Sequence, residues 1–249
     1  MNKLITICIL SMVITAGGDT FDTYDQFSVT LPTGWVWMPR NVLIQYAKTI
    51  DKLAPDTPSQ FYDYGFQYRN SDDWFTYPYI LIQVKNVGRI PTGEMARYRK
   101  VRSGMEEGLD QVREGYSSVI TEAVAGEPEF DYERKILWTS MSMDLQDKGQ
   151  VRALIAVKLT EKGLIQLNGY ATSETFDEYE PVFREAFATL EVDEAIRYKP
   201  QITDNAPVIG NINLGKVLIV CIQGAIAGGV LWIVYALVRK AIRRVMKRA

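Results

Sequence analysis

Histidine is absent from the 249 residues, and cysteine occurs twice, as Cys8 and Cys221, each inside a hydrophobic run. The first absence excludes Ser-His and Cys-His nucleophilic catalysis and the usual zinc sites. The second leaves the segment between the two runs without thiol chemistry, cysteine-bound metal or disulfides. That segment, 19–215, is large enough to form a core without them. Glycine-rich phosphate loops, nucleophile elbows, calcium loops and HExxH segments are missing as well. Catalysis would therefore fall to carboxylate pairs such as Asp72 with Asp73, Glu106 with Glu107, or Asp131 with Glu133, in a glycosidase-like arrangement. Neighbouring carboxylates diverge on a helix and take opposite faces of a strand, so spacing alone assembles none of these pairs. No catalytic, cofactor-binding or metal-ligating residue is assigned. A membrane-anchored hydrolase acting on envelope polymer stands as the alternative to a binding protein.

Charge is missing from Val217 to Val238, a run bounded by Lys216 and by Arg239-Lys240. As a helix it would extend about 33 Å, close to the hydrocarbon thickness of a bilayer. Apolar residues on every face, followed by a basic tail, read as a transmembrane helix over 217–238 rather than as a core helix. The tail, 239–249, has no acidic residue and six basic ones: Arg239, Lys240, Arg243, Arg244, Lys247 and Arg248. The positive-inside bias keeps it in the cytoplasm, against anionic headgroups. At the other end, Lys3, the apolar run Leu4 to Ile14 and the small residues Ala16-Gly-Gly18 read as a secretory signal over 1–17. All 30 acidic residues lie in 19–215 against 20 basic ones, a net charge of −10, which disfavours nucleic acid.

Within 19–195 the pattern predicts a strand at 27–31, an extended piece at 35–37, and a helix from Asn41 to Leu53. Period two places Tyr62, Tyr64, Phe66 and Tyr68 on one face of a strand, and a second strand runs from Tyr79 to Val87. The loop between them carries Trp74, Phe75 and Tyr77. These are the candidate partner contacts, against the alternative of a loop folded onto its own sheet. A long helix follows over 93–114. Three strands at 130–145, 151–160 and 164–171, joined by Asp147-Lys-Gly149 and Glu161-Lys-Gly163, read as an antiparallel meander. Ala153 to Val157 is apolar without alternation, as in a central strand covered on both faces. The last helix starts near Thr175, where Thr175-Phe-Asp-Glu178 has capping-box spacing, with Pro181 early in it. Residues 196–215 read as a tether to the membrane.

This order of elements, with the opening Phe27-Ser-Val-Thr-Leu-Pro-Thr-Gly-Trp35 and the close Leu167-Asn-Gly-Tyr-Ala-Thr-Ser-Glu-Thr-Phe176, resembles the Mog1/PsbP-like superfamily over nearly all of 27–190. The resemblance implies an α+β fold, a mainly antiparallel sheet sandwiched by helices, used for non-enzymatic accessory and adaptor roles. It brings no active-site motif. Inside the apolar run, Gly224 and Gly228 form a GxxxG pattern with Gln223 beside it, the candidates for a helix–helix contact. The expectation is a single-pass, cofactor-free binding protein of a bacterial envelope, its domain outside the cytoplasm. Its partner would be an envelope or membrane protein, or a second copy met through the span.

Overall fold

The computed structural model describes residues 17–53, 60–69, 73–95, 98–116, 119–146, 149–205 and 219–230. Most of the expected signal, the rest of the apolar run beyond residue 230, and the basic tail lie outside them.

An antiparallel sheet carries the structure. Its strand order is β3 (Trp35–Trp37), β4 (Tyr64–Tyr68), β5 (Tyr79–Lys85), β10 (Gly163–Thr172), β9 (Gly149–Thr160), β8 (Ile136–Leu145) and β6 (Ile120–Ala125), with β7 (Glu129–Asp131) also paired to β8. The expected meander is β8-β9-β10, in register from Ile136 opposite Lys158 and from Gly163 opposite Thr160. Gly163 makes the second turn with φ +149°, and a Cβ there would meet the Lys85 carbonyl oxygen at 2.0 Å. Only glycine fits so close to the neighbouring strand. Ala153 to Val157 is buried throughout, as its unbroken apolar run requires of a strand covered on both sides.

On one face lie α4 (Phe176–Ala188) and a small sheet of β1 (Gly18–Asp22), β2 (Phe27–Pro32) and β11 (Glu191–Val192). Phe176, Phe183, Ala186 and Phe187 fill that layer against Leu154, Ile165 and Leu167. The opposite face carries α1 (Arg40–Leu53), the short α2 (Thr92–Met95), α3 (Tyr98–Gly115), and a helix over 219–230, here α5. The fold is thus α+β, with an antiparallel sheet between helical layers.

Several local expectations are corrected. β1 and β6 were not foreseen, because β1 is an exposed edge strand rich in acids and β6 alternates only weakly. Tyr62 does not share a face with Tyr64 and Phe66. Asp63 interrupts the alternation, its backbone N–H donating to Ile82 O and its carboxylate accepting from Val84 N, and Tyr62 turns to the helix side. Helix α4 starts at Phe176, as the capping spacing indicates, yet the Thr175 hydroxyl pairs with Thr172 and makes no side-chain cap bond.

The first part of the stretch expected as a tether, from residue 196 to 204, is packed on the domain. Ile196 and Tyr198 are buried, and Arg89 ties the following turn down. Its guanidinium donates to both carboxylate oxygens of Asp204 at 2.6 and 2.9 Å, to Glu161 at 3.1 Å and to Lys199 O at 2.9 Å, and it lies 4.4 Å from the centroid of the Tyr198 ring. The Arg89 hydrogen bonds hold the Asp204 carboxyl below the usual carboxylate range. Arg89→Met strands Asp204, which is 4% exposed. Because Arg89 is itself partly solvated, the expected loss is about 2 kcal/mol, less than for a fully buried pair. Denaturant unfolding measures it, together with faster proteolysis after Tyr198.

Candidate docking site for an apolar helix

The helix-side face of β5 and β10 is unusual for a core. Alternation sends Tyr79, Leu81 and Gln83 of β5, and Leu164, Gln166, Asn168 and Tyr170 of β10, toward the helical layer. Tyr62 and Tyr77 flank them. The result is a recess with an apolar floor and a row of phenol and amide ends.

Helix α5 lies in this recess. All its residues except Val220 are buried. Cys221, Gly224, Ala225, Gly228 and Gly229 follow i, i+3, i+4, i+7, i+8 spacing, so they form one stripe of small side chains. Along that stripe each backbone carbonyl accepts a side-chain donor. Gln166 Nε2 donates to Cys221 O at 2.8 Å, Tyr62 to Gly224 O at 2.7 Å and Tyr170 to Ala225 O at 2.6 Å. Tyr79 donates to Gly228 O at 2.8 Å and Tyr77 to Gly229 O at 2.7 Å. A helical carbonyl keeps a second lone pair after its intrahelical bond, and it is reachable only where no large side chain shields it.

Glycine is required by this close approach. A Cβ on Gly224 would stand 2.2 Å from Gln83 Oε1, one on Gly228 2.3 Å from the Tyr170 hydroxyl, and one on Gly229 2.1 Å from Met143 Cε. Gln83 Oε1 and Met143 Cε are the ends of flexible side chains. Tyr170 is less free to move, being fully buried and held by its bond to Ala225. On another side α3 crosses closely: a Cβ on Gly108 would lie 3.1 Å from Ile222 Cβ.

Gly224 and Gly228 therefore meet a sheet, through its side-chain ends, where the sequence pattern suggested a second helix. Gln223 is buried beside them. No helix among the described residues is long and apolar enough to cross a membrane, and the described part of the 217–238 run is packed inside the domain. Apolar residues on all faces suit both surroundings, which is why the sequence favoured the bilayer. The tail residues Arg239, Lys240, Arg243, Arg244, Lys247 and Arg248 lie outside the described residues.

The aromatic loop folds down rather than out. Gln67 braces it from beneath, donating to Asp73 O at 2.7 Å and accepting from Thr76 N at 3.2 Å. Phe75 is fully buried against Tyr46 and Tyr79, with centroids 4.3 and 5.8 Å away, so it offers no surface to an outside partner. Tyr77 is spent on α5, and Trp74 is half-buried. Sequence reasoning missed Tyr62, Tyr79, Tyr170, Gln83, Gln166 and Gly108 as docking residues. The one available signal was the Gly104–Gly108 spacing, a second small-residue pair on a helix.

Two of the carboxylates considered for catalysis, Asp131 and Glu106, are engaged by neighbouring groups. Asp131 accepts from the backbone N–H groups of Glu133 and Arg134, both at 2.9 Å, and from the Arg134 side chain, so its oxygens organise its own turn. Those bonds, the Arg134 backbone N–H first, lower its pKa, the opposite of what a general acid needs. Glu106 pairs with Arg102 at 2.9 Å, while Asp72 lies outside the described residues. A cleft of about 980 Å³ near β2 and β11 mixes both signs, with Asp22, Glu133, Arg134, Lys158 and Arg197 in its walls.

Burial raises the pKa of the Tyr62, Tyr77, Tyr79 and Tyr170 hydroxyls above the ordinary 10.0, so all four remain donors at neutral pH. A raised folded-state pKa favours the folded, docked state fully below pH 10.0, and that contribution disappears as pH rises beyond it. Stability is thus expected to be insensitive to these groups between about pH 6 and 9 and to fall steeply above 10, with tyrosinate absorbance appearing together with unfolding. Phenol ionisation that preceded any loss of structure would contradict the buried hydroxyl row.

No family model matches the chain, and no curated protein matches it. Among solved structures it is similar to the solution structure of cyanobacterial PsbP (CyanoP) from Synechocystis sp. PCC 6803. The TM-score is 0.45 and the identity 13%, over 73% of this chain and 95% of that one.

Proposed function

We propose that this protein is a non-enzymatic accessory protein of the cell envelope that acts by binding, with a domain of the Mog1/PsbP-like kind displayed outside the cytoplasm. Membrane attachment runs through 217–238, with the basic tail on the cytoplasmic headgroups. The observation that carries the binding reading is the recess itself: its most elaborate arrangement of polar groups recognises the backbone of an apolar helix. Five carbonyls of one small-residue stripe are matched by five side-chain donors. The net acidity of 19–215 and the sequence resemblance support a protein-binding role. Trp74, partly exposed and, unlike Tyr77, not bonded to α5, is the loop residue proposed to contribute a ring to an envelope partner.

The test is affinity purification of the full-length chain from its native membrane in mild detergent, beside a Gly224→Leu/Gly228→Leu variant. The expected result is an envelope or membrane protein recovered with the parent and depleted with the variant. Recovery of the bait alone in both cases, or of the bait from the soluble fraction only, would remove this reading.

A further inference from the structure

The groove lining has a property that a permanent core does not need. Gln83, Gln166 and Asn168 are buried to within 2% exposure, yet Gln83 Oε1, Gln166 Oε1 and Asn168 Nδ2 have no hydrogen-bond partner among the described residues. A buried polar atom left without a partner costs about 1–3 kcal/mol, so these three atoms burden the docked state even though the other end of each amide is bonded. If the groove empties, the same amides and the four tyrosine hydroxyls are hydrated, and their cost in the docked state becomes a gain in the open one. The occupant has the complementary property. Its carbonyls keep their intrahelical bonds wherever it goes, and the run 217–238 contains no charged residue, with six basic residues following.

We propose that helix 219–230 is a releasable occupant: the domain sheathes its own membrane segment in the Tyr62/Tyr77/Tyr79/Tyr170 groove, and an anionic bilayer competes for it. The inference deepens the membrane-attachment reading above and rests on it. The lipid partner is an anionic surface, because the basic tail is drawn to it while the domain, at −10, is repelled from it once the helix has inserted. The Arg89–Asp204 ion pair fixes the chain to the domain ahead of the helix, at residue 204. Sheathing thus separates folding of the domain from insertion of the anchor.

The close approach of Gly108 to Ile222 supplies a reporter. With Cys8 and Cys221 changed to serine, a Gly108→Cys/Ile222→Cys pair would place its Cβ atoms about 3.1 Å apart in the docked state, a few tenths of an ångström short of the usual disulfide range, a gap that a small helix shift closes. In full-length protein without lipid, mild oxidation is expected to close this bond within one chain. Vesicles of phosphatidylcholine with about a third phosphatidylglycerol should carry the reduced protein to the top of a flotation gradient and lower crosslinking roughly tenfold. Protein oxidised before the vesicles are added should stay at the bottom. A Tyr170→Phe change, which removes one donor and keeps the ring, should shift the balance toward the vesicles roughly fivefold.

Flotation with undiminished crosslinking would overturn the proposal, since the helix would then be docked in membrane-bound protein. Absence of the bond with and without lipid would overturn it too, and a bond between two chains would replace it with an exchanged helix. Failure of the protein to float in either redox state would instead reject membrane attachment itself, so the two readings fail separately.

Discussion

Gly228→Leu is expected to expel α5 from the sheet while leaving the remainder of the domain folded. The Cβ alone would stand 2.3 Å from the Tyr170 hydroxyl and 3.0 Å from that of Tyr62, and the rest of the leucine has nowhere to go between them. Overpacking of this size ordinarily costs about 1–3 kcal/mol, and here the cost rises because the strained tyrosines also lose their carbonyl partners. The total, about 4 kcal/mol, weakens docking roughly a thousandfold. The outcome would be a protein with retained sheet signal in far-ultraviolet circular dichroism, newly exposed tyrosine fluorescence, aggregation in water and tighter binding to vesicles. Gly228→Ala should give the same changes in weaker form. A leucine variant with unchanged tyrosine environment would show that the stripe does not lie against Tyr170.

Phe183→Ala tests the opposite layer and should have a different signature. Phe183 is fully buried, stacked on Phe187 at 6.3 Å and set edge-on to Trp35 at 6.2 Å. It also presses on the bare backbone of Gly169, where a Cβ would lie 2.5 Å from the ring. That glycine allows the ring to sit almost on the sheet, so removing the ring leaves a cavity that neither α4 nor β10 can close. The expected loss is about 4 kcal/mol in denaturant unfolding, with the whole domain destabilised cooperatively. Flotation of the folded fraction should be unchanged. A variant that released the helix before the domain unfolded would mean that the two layers are coupled through β10 more strongly than their separate packing implies.

Much of the architecture was legible because its causes are local. The meander was readable from Asp147-Lys-Gly149 and Glu161-Lys-Gly163, where short turns dictate antiparallel pairing, and from the unbroken apolar Ala153 to Val157. Helix α4 was readable from Thr175 and the aromatic stripe that follows. β1 and β6 were not, because edge strands are specified by the neighbour they pair with more than by their own residues. The docking groove was illegible for a related reason. Tyr62, Tyr79 and Tyr170 are ordinary strand residues in sequence, and their common direction is set by a break at Asp63 and by the order in which β5 and β10 pair.

The stretch 217–238 shows the division most plainly. Sequence alone determined that it must leave water, since a chargeless run of that length has no solvated face, and that its small residues permit close approach on one side. Tertiary structure alone decided what approaches. Burial of apolar surface is non-directional and is satisfied equally by lipid or by a protein core. The choice of the core for 219–230 comes from directed bonds, five carbonyls meeting four hydroxyls and one amide, whose donors are scattered from Tyr62 to Tyr170 and converge only when the sheet is formed.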